Sequence, residues 1–235
     1  MMNDAIEKID LQIEKHSLLK HKFYKMWSQG ELTKDHLKGY SKEYFQLVKS
    51  VPHFVENISS LTNDPSIKAV LTQTLKEESE HIELWIKFAV GLGIPRDELL
   101  NYPGSRKTNE AVSQLKKLTG SSLEEAASAM YAYEMEIPKI SRSKLDGLKK
   151  FYAIDNSYDN GNITRYFQVH EEVDVRHAET WRQMLQNLAD ESKTESVIES
   201  ADRSLEAQNK LLDSVQEKYV SMAASDDAHN NVIMG

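Results

Sequence analysis

The sequence predicts an all-α protein, a single bundle of about seven helices. Three observations carry that expectation. Glycine and proline number only 9 and 5 in 235 residues, and they punctuate the chain. Between them the apolar residues recur at helical spacing, and no segment alternates with period two over a useful length. No internal repeat and no linker rich in Pro, Gly or Ser divides the chain. One helical domain over residues 1–220 with a polar tail over 221–235 is therefore expected.

The elements follow in order. "AIEKIDLQIEKHSLLKHKFYKMW" sets Ile6, Ile9, Ile13 and Leu18 at helical steps and ends at "SQGEL". The second segment opens on Thr33 as N-cap and carries Pro52 as a kink. The third has Asp64 before Pro65 at the first helical position and closes near Gly91 and Gly93. A shorter helix over 107–118 stops at Gly120. The fifth begins with a capping pattern, Ser121 or Ser122 with Glu124 or Glu125, and holds Pro138 inside. After the turn cluster "DNSYDNGN" a sixth helix spans 163–188, and "ESKTESVIESADRSLEAQNKLLDSVQEKYV" is the last. The tail "SMAASDDAHNNVIMG" has no period.

Composition excludes several functions. A net charge of −8 argues against non-specific nucleic-acid binding, which needs clustered Lys and Arg. No apolar run approaches the roughly 18 residues of a membrane span. The amphipathic, acidic N-terminus has no apolar signal core, so a cytoplasmic location is the default expectation. The chain has no cysteine, which removes disulfides, thiolate metal sites and cysteine nucleophiles.

One stretch asks for more than a solvated face. In "YFQVHEEVDVRHAETW", His170, Asp174 and His177 fall within about 60° of arc over roughly two helical turns. A face that meets only water has no need to gather two imidazoles and a carboxylate on one stripe. In "LKEESEHIELW", Glu77 stands at i, i+4 to His81 and Glu78 at i, i+3, about 40° and about 60° away. Glu77 is preferred as first of the pair and closer to the face of His81, with Glu78 its rival. Glu134 follows the apolar approach Ala126, Ala127, Ala129 and Met130, where a carboxylate is costly unless paired or bound to a cation. Each piece alone has a plainer reading: a salt-bridged surface, an acidic run in water, or Glu134 paired with Arg142 or Lys139. Their coincidence in one bundle favours a metal site built from Glu77, His81, Glu134, His170, Asp174 and His177. Three carboxylates against two divalent ions leave one positive charge and open positions for dioxygen. Oxygen and nitrogen donors without sulfur favour iron or manganese over copper(I) or an iron–sulfur cluster.

At this point the residues resemble a known family. "HKFYKMWSQGELTKDHLKGYSKEYF", "HIELWIKFAVGLGI", "YAYEMEIPKISRSKLDGL" and "VHEEVDVRHA" are similar to the chlamydial protein associating with death domains and its microbial homologues. These belong to the heme-oxygenase-like, TenA/PqqC-like helical superfamily, and the similarity runs from about residue 10 to 190. The resemblance implies an oxygen-dependent protein with two divalent metal ions, Fe/Fe or Mn/Fe, and an external reductant. Its product would be 4-aminobenzoate for folate-type cofactors, made from the protein's own side chains. By motif, the ring donor is Tyr24 in "HKFY", the amino donor Lys144 in "SRSKL", and Tyr40 in "LKGYSKEY" a neighbouring redox-active phenol. The superfamily often dimerises, which allows a homodimer. One departure is visible: only Ser79 and Glu80 separate the double glutamate from His81, where the family carries a longer insert. The first carboxylate stays open between Glu77 and Glu78.

Spacing does not carry Lys144. On an unbroken helix it lies about 15 Å and about 80° from Glu134, so a solvated lysine is expected unless Pro138 turns it inward. Other readings make other demands. A multiple-turnover di-iron oxygenase would act on an external small molecule, and an interaction protein would hold its metal structurally. A thiaminase type would need the missing cysteine, and a PqqC type would have no use for a ligand set. Heme oxygenase would need one axial histidine near the N-terminus, where His21 is available.

Overall fold

The computed structural model describes residues 2–154, 162–188 and 191–221. Among these every regular element is helical. The seven expected segments are all present as helix; three of them are broken in two and one short helix is added. The first segment gives α1 (Met2–Lys15), a 3₁₀ turn (Leu18–Lys20) and α2 (Lys22–Gln29). The second gives α3 (Lys34–Val48) and α4 (Val51–Ser60), and the third is α5 (Pro65–Gly91). The short α6 (Arg96–Asn101) precedes α7 (Arg106–Leu118). The fifth segment splits into α8 (Leu123–Glu134) and α9 (Ile137–Phe151). Then come α10 (Arg165–Asn187) and α11 (Thr194–Val215), which ends in a π-helical turn, Gln216–Ser221. Of the turn cluster "DNSYDNGN" only Asn162 is among the described residues, and of the tail only Ser221.

The breaks have local causes. Pro52 and Pro138 each sit in the first turn of a new helix, α4 and α9, where the missing N–H has no partner to lose. A proline read from sequence as an internal kink is therefore a boundary at both places. Glu136, in the corner between α8 and α9, accepts a hydrogen bond from the Leu18 N–H at 3.2 Å, tying that corner to the bend after α1. The caps follow the sequence. The Thr33 side chain accepts from His36 N–H, that of Asp64 from Ser66 and Ile67 N–H, and that of Ser122 from Glu125 N–H.

Buried apolar residues from Ala5 to Val220 form one cluster, with Trp27, Trp85 and Trp181 among its largest members. Helix α11 packs on α7, α8 and α1, while α10 packs on α8 and α9, and α5 lies against α3, α4 and α10. The facing sides of α5, α8 and α10 thus enclose the predicted acid and histidine positions. No described helix is long and apolar enough to cross a membrane.

Helix α9 approaches α2 closely because residue 147 is glycine. A Cβ there would lie 2.7 Å from the Trp27 ring and 3.1 Å from the Trp27 carbonyl oxygen. The same tryptophan donates from Nε1 to the Lys144 carbonyl at 3.2 Å. This contact sets the height and rotation of α9, and with them the position of Lys144. Gly147→Ala will force α9 away from Trp27 and lower stability by roughly 1–3 kcal/mol, measurable as a lower urea midpoint with unchanged slope.

Candidate metal centre

Six predicted positions bear on the centre, and the structure gathers five of them with Glu78. Glu78 and His81 come from α5, Glu134 ends α8, and His170, Asp174 and His177 share one stripe of α10. All six of these side chains are buried. Two groups have donor atoms within 4.8 Å of one another: Glu78, His81 and His170 in one, Glu78, Glu134 and His177 in the other. Glu78 is common to both. Asp174 stands beside the second group, its Oδ1 3.5 Å from His177 Nδ1.

Glu77 lies outside both groups. It is half-buried at the rim, accepting from Arg176 at 3.2 Å and from Gln73 at 2.7 Å. One of its oxygens also lies 2.7 Å from His177 Nε2. The geometry therefore favours Glu78 inside and Glu77 behind His177, the reverse of the preference drawn from first position in the pair. Helical spacing could not decide this, because the residues three and four before His81 both share its face; the side of α5 that meets His170, His177 and Glu134 decides it.

The remaining ring nitrogens are aimed by their neighbours. His170 Nδ1 is 2.7 Å from the Tyr166 carbonyl, one turn back, which leaves Nε2 for the cluster. His177 holds Glu77 with Nε2 and turns Nδ1 toward Glu78 at 3.4 Å and Glu134 at 3.9 Å. A second ring nitrogen bound to a carbonyl or carboxylate is the usual support for a metal-ligating histidine. Trp181 donates to Glu134 Oε2 at 2.7 Å and fixes that carboxylate. Arg142 pairs with Glu171 instead, so the plainer reading of Glu134 as its ion-pair partner does not hold.

Three buried atoms at this centre lack any hydrogen-bond partner in the protein: Glu134 Oε1, Asp174 Oδ2 and His177 Nδ1. Such orphans are costly. The electrostatics point the same way. Burial pushes the Glu134 carboxyl well up, helped by the charges of Asp174 and Glu78 against the pull of His177. Burial would do the same to Glu78, but the adjacent His177 and His81 imidazoles outweigh it and hold that carboxyl below its usual range. Burial opposes a proton on His177, yet Asp174 and Glu78 overcome it and push its pKa up to about 11. Three carboxylates in a dry interior demand positive charge, and orphaned oxygen and nitrogen donors offer it a seat. The donor set fits iron or manganese.

A second buried group adjoins the first. Tyr24 and Tyr40 face each other with hydroxyls 3.3 Å apart, and Lys144 Nζ hydrogen-bonds the Tyr40 hydroxyl. The same nitrogen lies 4.7 Å from the Tyr24 ring centre, 4.9 Å from Tyr40, 5.0 Å from Tyr44 and 5.3 Å from Phe167. Only 4% of Lys144 is exposed, so the break before α9 does turn it inward. Burial pulls its pKa well below the usual lysine value. His21, by contrast, caps α2 and meets Asp213 at 3.2 Å.

Sequence reading missed Tyr44, Tyr166 and Trp181. Tyr166 and Trp181 stand one turn before His170 and one turn after His177 on the same stripe, so the period that found the ligands also contained them. Tyr44 is one turn after Tyr40 and could have been found in the same way.

Residues 40–209 match the model of a family described as iron-containing redox enzymes. A Chlamydia trachomatis protein named 4-aminobenzoate synthase is 33% identical over 89% of this chain and 88% of its own length. A protein of the same name from Chlamydia pneumoniae is 31% identical over 87% and 92%. In fold, the chain is similar to a domain of unknown function with a heme-oxygenase-like fold from Shewanella denitrificans. The TM-score is 0.78 at 16% identity, covering 93% of both chains.

The two neighbouring glutamates separate the readings of the centre. Glu78→Ala will lose metal from both groups, whereas Glu77→Ala will keep it with affinity weaker by roughly 10–100-fold. Metal analysis and titration of the purified variants check this; the opposite ranking would move the shared carboxylate to Glu77. Added iron(II) or manganese(II) at about 100 times its dissociation constant should raise unfolding free energy by about 2.7 kcal/mol per site, and a chelator should reverse it.

Proposed function

The chain belongs to the iron-containing redox enzymes, and from that premise we propose that it forms 4-aminobenzoate in an oxygen-dependent reaction on its own side chains. Tyr24 is the source of the ring and one carbon, and Lys144 the source of the amino nitrogen. The observation that carries this reading is the buried meeting of Lys144 Nζ with Tyr24 and Tyr40, away from any carboxylate among the described residues. The chlamydial relatives' shared name supports the product.

Glu78, His81 and His170 would hold one divalent ion, and Glu78, Glu134 and His177 the other, with Asp174 beside the second. When bound, a pair of iron ions, or manganese with iron, supplies the redox activation of dioxygen, drawing on an external reductant. The rest falls to the chain. Burial of Lys144 favours the neutral amine, whose lone pair makes it a nucleophile. The aromatic walls of Tyr24, Tyr40, Tyr44 and Phe167 hold that nitrogen over the ring it is to join and exclude water. The conversion breaks the Tyr24 Cα–Cβ bond and both Cβ–H bonds; Cα takes a hydrogen, leaving glycine at 24, and Cβ gains three bonds to two oxygen atoms at the carboxylate level. A ring C–N bond replaces the phenolic C–O bond, whose oxygen leaves as water, as Lys144 Cε–Nζ breaks and Cε is left as an aldehyde. The six electrons removed go to dioxygen. A chain that spends Tyr24 and Lys144 acts once.

Intact and peptide mass spectrometry tests this after iron(II), manganese(II), reductant and oxygen are added to purified protein. Altered masses at both Tyr24 and Lys144 are expected, with at most one product molecule per chain and none from Tyr24→Phe or Lys144→Ala. Product formed with both residues intact, or in many equivalents from an added small molecule, would replace this reading with a multiple-turnover enzyme.

A further inference from the structure

Helices α2 and α9 pack side by side and turn Tyr24 and Lys144 inward. Their outer faces carry Lys22, Lys25, Lys139, Arg142, Lys149 and Lys150, all exposed, against a single acid of their own, Asp146. In a chain whose net charge is −8 this is a local reversal of sign. Neighbouring helices do not cancel it. Among the described residues, no carboxylate lies within ion-pair distance of Lys22, Lys25, Lys139, Lys149 or Lys150. Lys150 sits instead over the Phe151 ring, 4.9 Å from its centre. Helix α7, also rich in cations, differs: Arg106 pairs with Glu110 at 2.8 Å and Lys107 with Glu217 at 2.7 Å. Its Lys116 and Lys117 stand in the last turn, where the helix dipole favours them. Between α2 and α9 runs a groove of about 400 Å³, lined by Ser28, Lys139, Arg142, Lys150 and Phe151 with the buried Gly147 at its base. At one edge Arg142 reaches Glu171 at 2.6 Å. Glu171 is the residue after His170, so the basic face touches the helix that bears the ligand stripe.

We propose that the α2–α9 face docks an acidic one-electron carrier protein, of the iron–sulfur or flavin class, as the external reductant. The inference rests on the oxygen-dependent reading above, which calls on electrons from outside the chain. Each encounter passes one electron: the carrier is oxidised by one, and an iron(III) or manganese(III) ion in the cluster is reduced to the divalent state. Charge does the steering. An acidic carrier is repelled by the molecule as a whole and attracted to this face, so the reversal of sign fixes both where it lands and how it is turned. The shape favours a protein. A protruding acidic loop fills a groove, whereas a flat anionic lipid surface would touch only the rim. Phe151 is also the one large apolar side chain exposed along these two helices, too little to enter a bilayer. Solubility alone does not account for the face, because the rest of the chain meets that need with acids.

Charge reversal tests the face. Protein is loaded with iron(II) without oxygen, oxidised with ferricyanide and desalted. It is then mixed with reduced plant-type [2Fe–2S] ferredoxin, an acidic one-electron carrier, and ferredoxin oxidation is followed by stopped-flow absorbance. Reduction of the same sample by dithionite, which needs no docking, is the reference. For wild type the ferredoxin rate constant should fall steeply as salt rises. Lys139→Glu/Lys150→Glu, and separately Lys22→Glu/Lys25→Glu, should lower the ratio of ferredoxin to dithionite rates by roughly tenfold or more at low salt. Lys116→Glu/Lys117→Glu, the same change in net charge on α7, should leave that ratio within about twofold. Equal ratios in all three double variants, or a ferredoxin rate indifferent to salt, would overturn the docking face. Vesicles of phosphatidylserine and phosphatidylcholine that bind wild type but not Lys139→Glu/Lys150→Glu, with the ratio unchanged, would overturn it in favour of a lipid surface. Oxygen is absent throughout, so Tyr24 is not spent during the measurement. Normal docking followed by an unaltered Tyr24 after oxygen is admitted would sink the self-sacrificing reading and leave the docking face standing.

Discussion

Burial of three carboxylates and three imidazoles between α5, α8 and α10 is the constraint on which the rest of the structure depends. Removing one carboxylate from water without a partner costs far more than a small domain's margin of stability. Glu78, Asp174 and Glu134 are nonetheless almost fully enclosed. Without metal the proton on His177 goes some way toward balancing them, and its raised affinity for that proton measures the negative field. A proton cannot satisfy Glu134 Oε1 and Asp174 Oδ2, which face the cluster with no donor in reach. Two divalent ions would satisfy the charge and the orphaned atoms together. The helices are held in the arrangement that makes the cluster, and cations bound there would offset much of the cost of burying it.

That constraint also explains how neighbouring residues are used. The ligand candidates leave little freedom to their second donor atoms: a backbone carbonyl holds His170, Glu77 holds His177, and Trp181 holds Glu134. Arg176 and Gln73 in turn hold Glu77 at the rim. The layers run outward from charge to hydrogen bond to solvent, so each group is fixed by the next. Such support matters because a ligand turned by one rotamer would leave a bare charge in the core.

How much of this could be read in the chain depends on distance along it. The stripe His170, Asp174 and His177 was legible because one helix carries all three and its period is known. Glu134 was legible through its apolar approach. The choice between Glu77 and Glu78 was not, since both share a face with His81 and only the packing of α5 against other helices distinguishes them. Pro52 and Pro138 announced a change of direction, but not whether each kinks a helix or begins a new one. Here Ser50 and Glu136, two residues before each proline, stand at the N-cap of a new helix. Lys144 shows the cost of that gap. Its place on an ideal helix put it on the wrong side, and the corner at Glu136, anchored to Leu18 from far along the chain, put it in the core.

The setting of Lys144 carries one more step. A buried lysine normally brings a carboxylate with it, because the ion pair offsets part of the cost of leaving water. An acid there would also keep the nitrogen charged and chemically inert. This lysine has a phenol and four aromatic rings instead. Those rings tolerate either charge state, since their faces attract a cation and their apolar edges accept a neutral amine. A side chain kept only for packing at position 144 would serve better as leucine or methionine, with no amine to desolvate. Stability is given up at this position of α9, and on the proposed reading the return is a neutral nitrogen resting against the ring of Tyr24.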